Sequence, residues 1–428
     1  MATERGTIEK LVFGGQGLAR LGGGRVAFVW NALPGEDVTF EIVKKRRGTM
    51  EGIATEIHTP SPDRIAPREA TYLSTSPWQI MTWEAEQRWK REVARETYKK
   101  LGGFDVGEIS IVGDEAHMYG YRNKMEFSFF TKTPDAPLEL AFYERGKSWK
   151  QPAEGSALAL PEINAVAIRI RDWLRAQRVD RRELKTLIVR GDGHGHAIAG
   201  LFAKEVINVE SYPELDDMLR GFHIYYSNPK SPASVITDVL YSSGDESLTV
   251  ALHDKKMTFG LMSFFQVNVP IFESVLDRVT SLLPKATPIV DLYSGVGSIG
   301  LSLANEDHDT VLVESWEEAT RYAKQNATMN GIDRVRIVVA PAERVTKEIT
   351  SDATLIVDPP RTGLHADVVA AIIAKRSPIV FYLSCNLSTQ ARDVALLLPH
   401  YTIAHTELFN FFPRTPHIEG LVVLKAKS

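Results

Sequence analysis

The rhythm of apolar and polar positions changes twice along the chain, and the changes divide it into three. Over residues 1–58, short apolar runs alternate with glycine turns such as Gly14-Gly-Gln-Gly17 and Gly22-Gly-Gly24. Short strands separated by turn signals predict a small β-barrel. Pro60-Ser-Pro62 and Ala66-Pro67 read as a linker, and the charged amphipathic stretch 83–101 as a helix. Strand patterns at 124–130, 186–190 and 248–252, with a helical pattern at 161–177, make residues 59–260 a central α+β domain.

From residue 261 to 428 the alternation is regular. Apolar runs at 289–292, 310–314, 335–339, 354–357 and 379–383 predict buried strands, and stretches at 270–283, 299–305, 317–330, 366–375 and 388–398 predict helices between them. A further apolar strand follows at 421–424. Strands alternating with helices mean an α/β fold with a parallel, doubly wound, Rossmann-like sheet that binds ligands beyond the carboxyl ends of its strands. Four segments should meet on that edge: 293–298, Glu314, 358–361 and 384–388.

The loop Asp291-Leu-Tyr-Ser-Gly-Val-Gly-Ser-Ile-Gly300 contains G-x-G-x-x-G between a strand and a helix, and Glu314 ends the next strand where a ribose-binding acid belongs. Alone, this fits a nicotinamide site or an S-adenosylmethionine site. The position of the loop two-thirds along the chain and the Asp358-Pro-Pro-Arg361 segment favour the methyl donor. Paired prolines stiffen the chain and leave carbonyls without competing N–H groups. Arg361, at the fourth position, can grip a phosphate or a carboxylate but supplies no aromatic face.

Composition narrows the chemistry. The single cysteine among 428 residues, Cys385, excludes a disulfide framework, an all-cysteine zinc site and an all-cysteine iron–sulfur cluster. The N-terminus lacks an apolar signal core and no apolar stretch is long enough to span a bilayer, so a cytoplasmic protein without membrane contact is expected. A net charge of −4 leaves any nucleic-acid contact to local patches. Lys44-Lys-Arg-Arg47 suits a phosphate contact or a solvated loop. Tyr119-Gly-Tyr-Arg-Asn-Lys124 suits stacking on unpaired bases or an ordinary turn.

Cys385 follows the 379–383 strand and precedes a helix capped by Asn386 or Ser388. A thiol there would face helix amides, which lower its pKa; a buried structural cysteine is the other reading. Carbon methylation of uracil needs such a thiol, because C5 attacks a sulfonium methyl only after a thiolate has added at C6. A base must then remove the C5 proton. Glu419 in Pro416-His-Ile-Glu-Gly420 starts an apolar strand, where partial burial would raise its pKa; it also reads as a strand-end surface carboxylate.

Five motifs in order carry a resemblance over the whole chain: Phe264-Phe-Gln-Val-Asn268, Asp291-Leu-Tyr-Ser-Gly-Val-Gly297, Asp358-Pro-Pro-Arg-Thr-Gly363, Tyr382-Leu-Ser-Cys-Asn386 and His417-Ile-Glu419. Together they resemble the RNA 5-methyluridine (uracil-C5) methyltransferase family, in its ribosomal RNA branch. The resemblance implies Cys385 as nucleophile and Glu419 as base. It implies Gln266, Tyr293, Ser298, Glu314 and Asp358 as contacts to S-adenosyl-L-methionine, with Gln266 and Asp358 also near the uracil. Residues 1–58 are similar to the RNA-binding TRAM barrel, an OB-like fold, and the expected partner is RNA, ribosomal ahead of transfer RNA, bound by a monomer. Tyr72-Leu-Ser-Thr-Ser-Pro-Trp-Gln79 has serines where many members carry cluster cysteines, so neither metal nor iron–sulfur cluster is expected. Two other classes remain: a nicotinamide-dependent oxidoreductase, and a non-catalytic RNA-binding protein with a vestigial methyltransferase domain.

Overall fold

A computed structural model describes residues 2–133 and 135–427. Its chain falls into two compact units: residues 1–86, 115–248 and 414–416 form one, and 87–114, 249–413 and 417–428 the other. This differs from the sequential three-way division. Residues 87–114, expected in the central domain, belong with the C-terminal sheet, because strand Ser110–Val112 pairs with Tyr401–Phe409 and Tyr98 donates to Gln390 at 2.7 Å.

In the first unit, strands Thr3–Leu11, Gly17–Leu21, Arg25–Trp30, Asp37–Arg46 and Thr49–Thr59 close into a barrel, the first pairing with the second and the fourth. Alternate residues point inward, and Ile8, Val29, Val38, Phe40 and Met50 fill the interior. The stretch expected to be a linker is instead pinned down. Arg64 forms an ion pair with fully buried Glu36, and Trp78 Nε1 donates to the Gly15 carbonyl at 3.0 Å. Prolines that read as a spacer here only shape a packed strap.

The same unit holds a seven-stranded sheet, ordered Asp238–Gly244, Leu219–Tyr226, Ala197–Ala203, Leu184–Gly191, Lys124–Phe130, Glu139–Tyr143, Lys150–Pro152. Helix Pro161–Ala176 lays Ile163, Val166 and Ile170 against Phe127, Leu187 and Leu201. Tyr121 is buried in this unit, so it offers no stacking face. The guanidinium of Arg68 already lies 4.9 Å from the Tyr119 ring. The Tyr119–Lys124 motif is therefore a packed turn.

The second unit is built on eight strands, ordered Val335–Val339, Thr310–Glu314, Ile289–Leu292, Thr354–Val357, Ile379–Ser384, Glu419–Ala426, Tyr401–Phe409, Ser110–Val112. The first five are parallel as expected. Glu419–Ala426 is not: it runs antiparallel to both neighbours, pairing Ser384 with Gly420. That reversal decides the site. A parallel strand delivers its last residues to the ligand edge, whereas a reversed one begins there, so Cys385 and Glu419 reach the same edge from opposite directions. Among the described residues no helix is long and apolar enough to cross a membrane.

Candidate active site

The glycine loop is held open by its own sequence. Tyr293, Gly295 and Gly297 adopt left-handed backbone angles (φ 65°, 56° and 84°), which turn the chain sharply off strand Ile289–Leu292. Gly300 has no room for a side chain: a Cβ would lie 2.4 Å from Leu312 and 2.9 Å from the Asp291 carboxyl. The gap is used by Asp291 Oδ2, which accepts the Gly300 N–H at 2.9 Å. Burial pushes the Asp291 carboxyl up to about 8, so near neutrality it is a largely protonated brace rather than a charged ligand. Asn326, fully buried, ties the loop to hairpin Ser247–Gly260 by donating to the Val296 and Thr258 carbonyls.

Glu314 lies at the end of its strand as expected. Its Oε1 accepts from the amides of Ser315 (2.7 Å) and Trp316 (2.8 Å), and Oε2 from that of Gly295 (3.0 Å). The carboxylate is oriented by backbone alone, with lone-pair capacity left on Oε2 for a ribose hydroxyl. Ser294 Oγ is buried without a hydrogen-bond partner, and the Ser298 hydroxyl makes no hydrogen bond among the described residues. Half-buried Tyr293 reaches the His365 backbone with its hydroxyl. Gln266 donates to Asp358 at 3.2 Å, joining two residues 92 positions apart. Burial pushes the Asp358 carboxyl up to about 7, against the opposing pull of that hydrogen bond. An acid on a ribose-facing strand end, an orphaned loop hydroxyl and a Gln–Asp pair fit a nucleoside-bearing cofactor.

Strand Ile379–Ser384 ends at half-buried Cys385, and Asn386 caps helix Leu387–Leu397 by accepting from Ser388 N at 3.2 Å. The helix end is thus satisfied by Asn386 and not by the thiol, which overturns the expected lowering of the thiol pKa. Burial, then the carboxyls of Glu419 and Asp358, push Cys385 up to about 11. Arg361 opposes them: its guanidinium lowers the pKa of the thiol and also that of Glu419. The loop bearing Arg361 is fixed by donations to its carbonyl from Asn386 Nδ2 (2.8 Å) and Thr389 Oγ1 (3.2 Å). The Asp-Pro-Pro-Arg motif implies a carboxylate or phosphate partner for this arginine, and the folded loop adds the sulfur of Cys385.

Glu419 is 3% exposed, and its Oε2 is buried with no hydrogen-bond partner. Burial, reinforced by Asp358, raises its pKa well above the ordinary carboxyl value. The surface-carboxylate reading fails, because residue 419 opens a strand that is interior throughout its first six positions. Gln390 clamps the two central strands at this edge by donating at 2.8 Å to the carbonyls of Tyr382 and Gly420. The arrangement unites a thiol, an unsatisfied carboxyl and one guanidinium beside the Gln266–Asp358 pair. Such a set can add sulfur to an electron-poor carbon and then accept a proton.

Residues 91–427 match the family model described as tRNA (Uracil-5-)-methyltransferase. A protein of Enterococcus faecalis is 27% identical over 428 aligned positions, covering 93% of this chain and 92% of its own, and one of Clostridium tetani is 28% identical, covering 98% and 97%. Each is described as an uncharacterised RNA methyltransferase. The crystal structure of the Pyrococcus abyssi tRNA (uracil-54, C5)-methyltransferase in complex with S-adenosyl-L-homocysteine matches with a TM-score of 0.79 at 24% identity, covering 98% of this chain and all of that one.

Proposed function

Because this chain belongs to the tRNA (uracil-5-)-methyltransferase family, we propose that it forms 5-methyluridine in RNA, with Cys385 and Glu419 acting in turn on one uracil ring. The observation that carries the reading is the unpartnered, buried Glu419 carboxyl acting electrostatically on the Cys385 thiol.

Glu314, Tyr293, Ser298, Gln266 and Asp358 would hold S-adenosyl-L-methionine, which supplies an electrophilic methyl group when bound. Cys385, as thiolate, forms an Sγ–C6 bond, and the displaced π electrons make C5 nucleophilic while O4 gains enolate character. Once C5 carries the methyl, Glu419 accepts the C5 proton. The electron pair left behind restores the C5–C6 double bond and expels the thiolate. Arg361 stabilises the sulfur anion at both ends of the cycle. Phe264, exposed beside Gln266, offers a ring face on which the target base can stack. A uridine handled this way must leave its helical stack.

We read residues 1–58 as a TRAM barrel, with exposed Lys44–Arg47 as its RNA contact, and 23S ribosomal RNA as the first substrate to test. Transfer RNA is the second reading. The barrel does not separate the two, since a fold covering 98% of this chain occurs in an enzyme described as acting on tRNA. Protein incubated with methyl-labelled S-adenosylmethionine and either 23S or transfer RNA transcripts should yield labelled 5-methyluridine. Cys385→Ala should yield none; product from that variant overturns the covalent route.

A further inference from the structure

A large cavity lies in the first unit, at the end of the seven-stranded sheet where strands Lys124–Phe130 and Ala197–Ala203 finish and Leu184–Gly191 begins. Its volume, 1710 Å³, exceeds the ~300–1,000 Å³ typical of small-molecule pockets. In a chain of net charge −4, this one groove is lined by eight lysines and arginines against three carboxylates. Two of those carboxylates are committed, Asp180 to an ion pair with Arg182 and Glu126 to the Ser234 hydroxyl. Among the described residues, Lys132, Lys150, Arg178, Arg181, Lys185 and Lys204 have no carboxylate at ion-pair distance.

So many uncompensated cations around one concavity repel one another unless an anion enters. Burial first, and then Arg181 and Lys204, push the Lys150 ammonium down to about 8. Along the same wall lie two exposed aromatic rings, Tyr143 (59%) and Trp149 (51%). The Lys150 ammonium sits 5.0 Å from the Tyr143 centroid, and that of Lys147, which is ion-paired to Glu144, 4.8 Å from the centroid of Trp149, whose indole N–H donates to the same carboxylate. Cations beside exposed rings are the chemistry of single-stranded nucleic acid, phosphates on the charges and unpaired bases on the rings.

We propose that this groove binds a single-stranded segment of the substrate RNA, with backbone phosphates on Lys132, Lys150, Arg178 and Arg181 and bases stacked on Tyr143 and Trp149. The inference deepens the reading of the chain as an RNA methyltransferase and rests on it for the identity of the polymer. Its site shares no residue with the proposed catalytic set.

The test uses the full-length protein without methyl donor and a fluorescein-labelled, uridine-containing single-stranded RNA, followed by anisotropy over a range of salt. The triple variant Lys132→Gln/Arg178→Gln/Arg181→Gln should bind about tenfold more weakly, with a log Kd against log salt slope flatter by about 2, since each phosphate contact to a single strand contributes ~0.7. Trp149→Leu should also weaken binding, by about tenfold, with the slope unchanged. Thermal melting of both variants at the wild-type temperature shows that folding is intact. In turnover with a methylatable RNA, KM for RNA should rise while kcat stays constant. The proposal is overturned if wild type binds the RNA and the triple variant matches it in affinity and slope, or if wild type does not bind single strands. Equal loss for blunt duplex and single strand, with Trp149→Leu silent, overturns the single-strand assignment in favour of a duplex. Groove binding by a wild-type protein that forms no 5-methyluridine would sink the catalytic reading and leave this one standing.

Discussion

Two halves of one sheet edge treat their polar groups in opposite ways. On the glycine-loop half, Glu314 receives three backbone N–H groups and Asp291 receives one, so each carboxyl is oriented before any ligand arrives. On the other half, Glu419 keeps an oxygen with no partner, and Cys385 is held protonated by burial and by neighbouring carboxyls. The carboxyls of the first half are fixed by backbone amides, whereas Glu419 on the second is not. Binding benefits from groups already in their final geometry. Chemistry needs groups whose protonation can change during the cycle, and that demands an environment in which neither form is comfortable.

Substitutions on the two halves should therefore fail differently. The largest effect is expected from Glu419→Gln, which removes the proton acceptor after methyl transfer. Turnover should fall by about 10³-fold, within the ~10²–10⁴ range of general-base contributions, while RNA stays covalently attached to Cys385 on a denaturing gel. Loss of both product and attachment would move Glu419 to an earlier step. On the binding half, Glu314→Ala should weaken S-adenosylhomocysteine by calorimetry about 10- to 100-fold, the worth of a charge-assisted hydrogen bond at ~1.5–3 kcal/mol. It should leave Cys385 alkylation untouched.

Smaller effects report on the thiol. Arg361 holds the Cys385 pKa down and Glu419 holds it up. At fixed pH near 8, Arg361→Ala should slow iodoacetamide alkylation several-fold and Glu419→Gln should speed it. In the free enzyme kcat/KM should still be rising above pH 8, because with a thiol near 11 the thiolate is a minority throughout that range. The smallest expected change is in stability. Burial raises the Asp291 carboxyl from 3.8 to about 8 in the fold, so its contribution is complete below about pH 4 and is lost as pH rises through 8. Asp358, raised to about 7, acts with the same sign. Melting temperature should therefore fall between pH 5 and 9, and Asp291→Asn should flatten that slope.

The parallel strands and the residues on their ends were legible because buried strands flanked by helices leave a strong periodic signal, and loop chemistry must follow their carboxyl ends. Glu314, Asp358 and Cys385 all stand on the edge that this logic assigns, whereas Gln266 follows only from the motif resemblance. What failed was whatever depends on neighbours distant in sequence. The reversed strand Glu419–Ala426 reads the same in either direction, yet its direction is what puts Glu419 beside Cys385. The sign of the thiol shift follows first from burial and then from the Glu419 and Asp358 carboxyls, which distant segments of the chain bring to Cys385. Tyr121 looked available and is buried, and the proline-rich strap looked loose and carries the Arg64–Glu36 pair. The basic groove left no compact motif, because its cations come from segments spread between residues 132 and 204.

The most direct test of the central claim uses RNA transcribed with 5-fluorouridine, whose C5 carries a fluorine that no base can remove as a proton. With S-adenosylmethionine, wild-type protein should form an SDS-resistant complex with this RNA, linked through Cys385 to a ring that has gained one methyl group, and mass spectrometry of the digested adduct should find both. Wild-type protein that methylates ordinary uridine at C5 but forms no such complex, or a complex that survives in Cys385→Ala, would contradict the account.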